Sequence, residues 1–181
     1  KPKGCVVLID EAYIDYAKTA ATAAPLVAAG GDVIVLRTFS KIYGLAGQRV
    51  GYAVGPEQVI AAMTKVRRPF DLTTTAQVAA LASIDGGSKL ERRRAINAVG
   101  LERLADVLVE HGLDPVPSVG NFVYVDVGSD AVDLFERLLR EGVIVRPLAG
   151  FGSPTAIRVS VGTPDELDEF AGALGRVLAR A

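Results

Sequence analysis

An α/β fold is predicted, and three observations predict it. Short continuous apolar runs of strand type, CVVLID and DVIVLRTFS, alternate with alanine-rich or amphipathic stretches of helical period. Those runs end in polar residues, Asp10 in the first and Thr38, Ser40 and Lys41 just past the second. That is the end of a strand at which α/β sheets place their ligands. The composition of the 181 residues, 50% hydrophobic and 23% charged, is that of a globular chain with ample core.

Taken in order, CVVLID reads as a buried strand and TAATAAPLVAAGG as a helix-like connection. DVIVLRTFS is a second strand and QRVGYAVG a third. PEQVIAAMTKVRR is a helix opened by Pro56, and TTTAQVAALAS a helix capped by threonine. The pair Gly86–Gly87 breaks the pattern and is the predicted boundary, giving one domain over 1–87 and a second over 88–181. The second opens with a long amphipathic helix, SKLERRRAINAVGLERLADVLVEHG, ended by Gly112, with Gly100 arguing against a straight course. NFVYVDV, VIVRPL and AIRVSVG then read as strands, with DAVDLFERLLREG and PDELDEFAGALGRVLAR as helices. This is a β-α-β-β-α layer with its helices on one face of a small sheet. At the other end, Lys1 is followed almost at once by strand sequence without a signal-peptide pattern, so the chain is expected to begin inside a larger fold.

A formal net charge of −1 gives no electrostatic reason to expect nucleic acid or an anionic membrane as partner. The densest basic cluster, LERRRAI, reads as a solvated helix face. No apolar run approaches the roughly 20 residues that span a bilayer. Cys5, the one cysteine, reads as a small buried hydrophobe and cannot form an internal disulfide. His111, the one histidine, reads as a cap at a helix end and cannot build a metal cluster. Both fit a reducing cytoplasm and argue against a His/Cys metal enzyme or a serine–histidine hydrolase.

Lys41 is the residue on which the chemistry turns. A lysine that attacks a carbonyl must be held and partly desolvated so that its amine is neutral often enough to react. A solvated loop lysine is the plain alternative. Asp10, at the end of a buried-type strand, needs a partner for its charge; a protonated ring nitrogen would serve, and so would capping of DEAYIDYA. Thr38, Ser40 and Arg49 supply the donors a phosphate needs, or ordinary turn chemistry with a surface arginine. Arg158 interrupts AIRVSVG and suits either a bidentate carboxylate or phosphate, or water at a sheet edge.

DEAYIDY, TFSKIYGLAGQRVGYAVG, PSVGNFVYV, GVIVRPLAGFG and IRVSVGTPDELDEF together resemble the histidinol-phosphate aminotransferase family, in order from Cys5 to the C-terminus. That family belongs to fold type I of the pyridoxal phosphate enzymes. The resemblance implies the C-terminal part of such a fold: a remnant of the large α/β sheet domain that binds pyridoxal 5'-phosphate, plus a small α+β domain. It implies that Lys41 carries the cofactor as a Schiff base and shuttles the substrate proton. Asp10 is then expected on the pyridine nitrogen, Tyr13 on the ring hydroxyl, and Thr38, Ser40 and Arg49 on the phosphate, Ser40 being the surer of the two hydroxyls. Arg158 is expected to bind an anionic group of the substrate, with Asn121 and Arg146 lining the same pocket.

The family's polypeptide is about twice this long. Its N-terminal half carries a glycine-containing phosphate turn, an aromatic residue stacked on the ring, an asparagine on the ring hydroxyl, and a tyrosine reaching the partner subunit's site. None of these is found here, so the chain alone is expected to lack part of the pocket. The implied function is amino transfer between L-histidinol phosphate and 2-oxoglutarate, in a cytoplasmic homodimer acting on small amino and keto acids. An aromatic amino acid aminotransferase, a threonine-phosphate decarboxylase and a non-catalytic α/β module are the competing readings.

Overall fold

β1 (Val7–Asp10) runs parallel to β2 (Val33–Thr38), and β3 (Gly51–Val54) returns antiparallel along the other side of β2. The computed structural model describes residues 4–180; Lys1, from which the chain is expected to start inside a larger fold, lies outside the described residues. By its internal contacts the chain divides into two units, Lys1–Arg93 and Arg94–Ala181.

In the first unit β2 is the central strand, and Val33, Ile34 and Val35 are buried, as its unbroken apolar sequence requires. The short helix α1 (Ala24–Ala28), with Pro25 in its first turn, packs beside β2. α2 (Glu57–Lys65) follows Pro56, and α3 (Thr74–Ile84) is capped by Thr73, whose hydroxyl accepts from the Ala76 amide. Ala76 and Ala80 of α3 pack with Phe39 and Val50 beside the loop that follows β2. Gly51 is required where β3 meets β2, since a Cβ there would lie 2.6 Å from the Arg37 carbonyl oxygen.

Two expectations for this unit fail. β1 is only half-buried, with Leu8 62% exposed. It is an edge strand with no neighbour on one flank among the described residues, and exposed Leu8 and Asp10 alternate with half-buried Val7 and Ile9. Cys5 is exposed rather than buried because it precedes the first paired residue, Val7.

α4 (Gly87–Glu110) is one continuous helix that begins in the first unit and ends in the second. Gly100 does not interrupt it. That position is buried, and a Cβ there would meet Val161 Cγ1 at 2.3 Å, so the glycine serves close packing. His111, just past the helix, donates from Nδ1 to the Val107 carbonyl at 2.8 Å, capping the helix end as expected.

The second unit carries an antiparallel sheet in the order β4-β5-β7-β6, built from β4 (Asp114–Val116), β5 (Phe122–Asp126), β6 (Arg146–Pro147) and β7 (Ala156–Ser160). Val123, Val125, Ile157 and Val159 cluster with Leu104, Val107 and Leu108 of α4. Leu134 and Leu138 of α5 (Ala131–Arg140) and Leu167, Phe170 and Leu174 of α6 (Pro164–Leu178) complete that core. Asp130 caps α5 through the amides of Val132 and Asp133, and Thr163 with Glu166 forms a capping box on α6. β4 was not expected, and β6 is much shorter than VIVRPL. β6 lies at a sheet edge and pairs with β7 across two residues, one of them a proline with no amide to donate.

Leu138 is fully buried, so Leu138→Ala is expected to cost about 3 kcal/mol, read as a lower urea midpoint at unchanged slope. Leu26→Ala, at a side chain 53% exposed, should shift stability by less than about 0.5 kcal/mol.

Candidate functional site

Because β1 and β2 are parallel and Asp10 stands opposite Leu36, both strands release their carboxyl ends on one edge of the sheet. Asp10 closes β1, Thr38 closes β2, and Ser40 and Lys41 follow within three residues. Asp10 is exposed; its Oδ1 accepts the Ala12 amide at 2.9 Å and its Oδ2 has no hydrogen bond among the described residues. Thr38 Oγ1 accepts the Ser40 amide at 3.0 Å, while the Ser40 hydroxyl makes no hydrogen bond among the described residues. Lys41 Nζ lies 4.9 Å from the centre of the Tyr13 ring and is half-buried. Arg49 sits at the start of the run into β3 with φ 54°, a left-handed conformation uncommon for a residue with a Cβ, and donates to the Ala46 carbonyl at 2.6 Å.

Behind this row lies a charged network the sequence reading passed over. Glu11 is 6% exposed, and its carboxylate accepts from the Ala23 amide at 2.6 Å and from the Thr22 hydroxyl. Arg37 completes it, with Nε donating to Glu11 Oε2 at 2.7 Å, Nη1 to Asp15 Oδ1 at 3.4 Å and Nη2 to the Thr22 hydroxyl at 3.1 Å. Burial pushes the Glu11 carboxyl up, but the donors of Ala23, Thr22 and Arg37 outweigh it and hold the group below its ordinary value of 4.5. Burial also raises the Tyr16 phenol, helped by Tyr13 and opposed by Arg93. The LERRRAI cluster is not purely solvated, since Arg93 Nη1 donates to the Ile42 carbonyl at 2.7 Å, one residue past Lys41. An acid directly after Asp10 and an arginine at the end of an apolar strand were the available signals for the network.

The second unit holds Arg158, Arg146 and Asn121. Arg158 and Arg146 are paired across β7 and β6, and Tyr124 stands on the other side of Arg158. The Arg158 guanidinium lies 4.8 Å from the centre of the Phe122 ring, and its Nε is buried without a hydrogen-bond partner among the described residues. Both arginines line a cavity of about 400 Å³ together with Phe135, Ile144, Pro147 and Ser160. Asn121 abuts β5, its carbonyl accepting the Val161 amide at 2.9 Å. Arg158 is therefore no water-facing edge arginine. The structure gathers Asp10, Tyr13, Thr38, Ser40, Lys41 and Arg49 in one unit and the other three residues in the second.

The family model described as aminotransferase class I and II matches residues 1–174. The chain belongs to the class I and II aminotransferase family. Among curated proteins, this aminotransferase-family chain is 46% identical over 180 residues to histidinol-phosphate aminotransferase 2 of Pseudomonas aeruginosa, covering 98% of the chain and 49% of the relative. It is 44% identical over 179 residues to histidinol-phosphate aminotransferase 2 of Methylococcus capsulatus, covering 98% and 48%. Among solved structures it superposes on histidinol-phosphate aminotransferase from Sinorhizobium meliloti in complex with pyridoxal-5'-phosphate with a TM-score of 0.90 at 32% identity, over 99% of the chain and 50% of the other. It superposes on the aspartate aminotransferase of Thermus thermophilus with maleate with a TM-score of 0.83 at 27% identity, over 94% and 47%. The chain thus spans about half the length of the curated relatives it matches. Its mixed α/β architecture is that of fold type I aminotransferases.

Since the folded Glu11 carboxyl is held low, its contribution to stability is complete above about pH 4.5 and is lost as pH falls through the depressed value. Glu11→Gln should therefore cost roughly 2 kcal/mol at pH 7. That deficit should close as denaturant midpoints are taken from pH 5 toward pH 3; a deficit constant across the range contradicts it.

Proposed function

We propose that this chain is the carboxyl-terminal part of a pyridoxal phosphate-dependent aminotransferase that moves an amino group between L-histidinol phosphate and 2-oxoglutarate, working as a cytoplasmic homodimer. The observation that carries the reading is Lys41 just past the carboxyl end of β2. Its amine is free of hydrogen bonds among the described residues and lies against Tyr13, and Asp10 ends the parallel neighbour strand at the same edge of the sheet.

The donor set fits the cofactor. One oxygen of Asp10 is available to hold a proton on a ring nitrogen, a charged partner that this exposed strand-end carboxylate lacks among the described residues. The Ser40 hydroxyl, the Thr38 hydroxyl hydrogen and the Arg49 guanidinium supply what a phosphate monoester accepts. Tyr13 offers a phenol on the same side as Lys41. Pyridoxal phosphate, when bound, supplies a conjugated ring that accepts the electron pair released at a substrate alpha carbon. Lys41 Nζ holds the cofactor and then acts as the base that takes and returns the alpha proton.

Arg146 and Arg158 support the phosphorylated substrate. The two arginines stand on directly paired positions and line one cavity, so an anion there meets two positive charges. A phosphate dianion offsets both charges; Asn121, expected in the same pocket, precedes β5 and is not among the residues that line the cavity. The cavity's apolar wall of Phe135, Ile144 and Pro147 favours an aromatic amino acid as the second reading. Turnover of histidinol phosphate and of phenylalanine by the protein carrying this chain separates the two; a phenylalanine preference would remove the proposed substrate.

In that protein, Lys41→Ala should abolish the visible absorbance of the bound cofactor and leave no lysine-linked adduct after borohydride reduction. An adduct found on another lysine in the parent protein overturns the assignment. Arg158→Gln should raise the KM for histidinol phosphate by about a hundredfold, roughly the loss of one well-paired ionic hydrogen bond in a partly buried site.

A further inference from the structure

We propose that Arg37 is a positioning residue of the Lys41 site, with Glu11 as its buried counterion: it fastens residues 11–22 to β2 so that the Tyr13 ring stays against the Lys41 amine. The inference rests on the reading of Lys41 as the cofactor-bearing lysine. Its geometry stands on three acceptors that flank Tyr13 in sequence. Arg37 reaches Glu11 before it, Asp15 after it and Thr22 further on, one from each nitrogen of the guanidinium.

The strands do not need this arginine for their pairing. β1 and β2 already share a main-chain ladder that ends with the Glu11 amide donating to the Leu36 carbonyl at 2.9 Å. Past Glu11, no main-chain bond among the described residues attaches the segment to β2. Ile14 to Glu11, Tyr16 to Tyr13 and Ala17 to Ile14 are all local and shape the segment onto itself. Arg37 ties that shaped segment to the strand from which Lys41 emerges four residues later. Its side chain is 19% exposed and that of Glu11 5%, so the pair is removed from most solvent competition. Lysine could not replace it, because a single ammonium lacks the rigid fork that reaches three separated acceptors.

The test uses the cofactor-free protein carrying this chain, trace-labelled with acetic anhydride, with Lys41 acetylation read by mass spectrometry against the exposed Lys65. Arg37→Lys and Tyr13→Ala should each raise the relative labelling of Lys41 about threefold, the loss expected when an ammonium leaves an aromatic face at a partly exposed site. Their combination should label no faster than either alone, because both remove the same contact. Thr22→Val, which deletes one arm of the fork, should give a smaller rise in the same direction and covers the case in which Arg37→Lys fails to fold. Leu138→Ala, destabilising but in the other unit, should leave the ratio unchanged. Parent-like labelling in Arg37→Lys and Thr22→Val, or effects that multiply to about ninefold in the double variant, overturns the proposal. Absorbance titration with pyridoxal phosphate on the same proteins should show weaker binding by the Arg37 variants. A parent protein that takes up no cofactor removes the aminotransferase reading, while the labelling ratios still decide what Arg37 does.

Discussion

Parallel pairing of β1 with β2 is the constraint on which the rest of the first unit depends. A parallel ladder delivers two carboxyl ends to one edge, and those ends carry Asp10 and the Thr38-to-Lys41 run. An antiparallel arrangement would have sent Asp10 to the opposite edge. β3 can then lie antiparallel on the far side of β2 without disturbing that edge, provided Gly51 lets its backbone come close to the Arg37 carbonyl. The same residue therefore serves twice, its main chain receiving β3 and its side chain gripping residues 11–22.

The second unit meets its own requirement differently. α4, α5 and α6 pack on one face of a four-stranded sheet, and the other face carries Tyr124 and Arg158 side by side. A buried guanidinium nitrogen without a partner is costly unless something else supplies an acceptor. That cost sits on a strand whose neighbours, Ile157 and Val159, are fully committed to the core, so the strand cannot rotate to relieve it.

Much of this was legible in the sequence, for identifiable reasons. Long periodic stretches such as those of α4, α5 and α6 announced themselves, and Asp130 and Thr163 marked their starts. Lys41, Asp10 and Ser40 each had an ordinary use when taken singly, and stood out because they fall together at the ends of neighbouring apolar strands. Edge positions were not legible. CVVLID has the composition of a central strand, and nothing local tells that its other flank has no neighbour among the described residues. DPV lacks any strand alternation, and VIVRPL lost most of its length to the same edge effect. Arg37, Glu11 and Arg93 were missed because their roles lie in contacts between segments far apart in the chain, which composition and periodicity do not record.

The facing pair Arg146 and Arg158 has a consequence for discrimination rather than for affinity. Specificity is a difference between occupants, and a site can create it by staying unfavourable for the wrong one. A neutral visitor to that cavity brings no charge to set against the two arginines on directly paired positions, and a cationic visitor adds a third positive charge. The apolar wall of Phe135 and Ile144 rewards any greasy molecule about equally, so it sorts little. On the proposed reading, sorting falls to the arginines, which disfavour an occupant without negative charge.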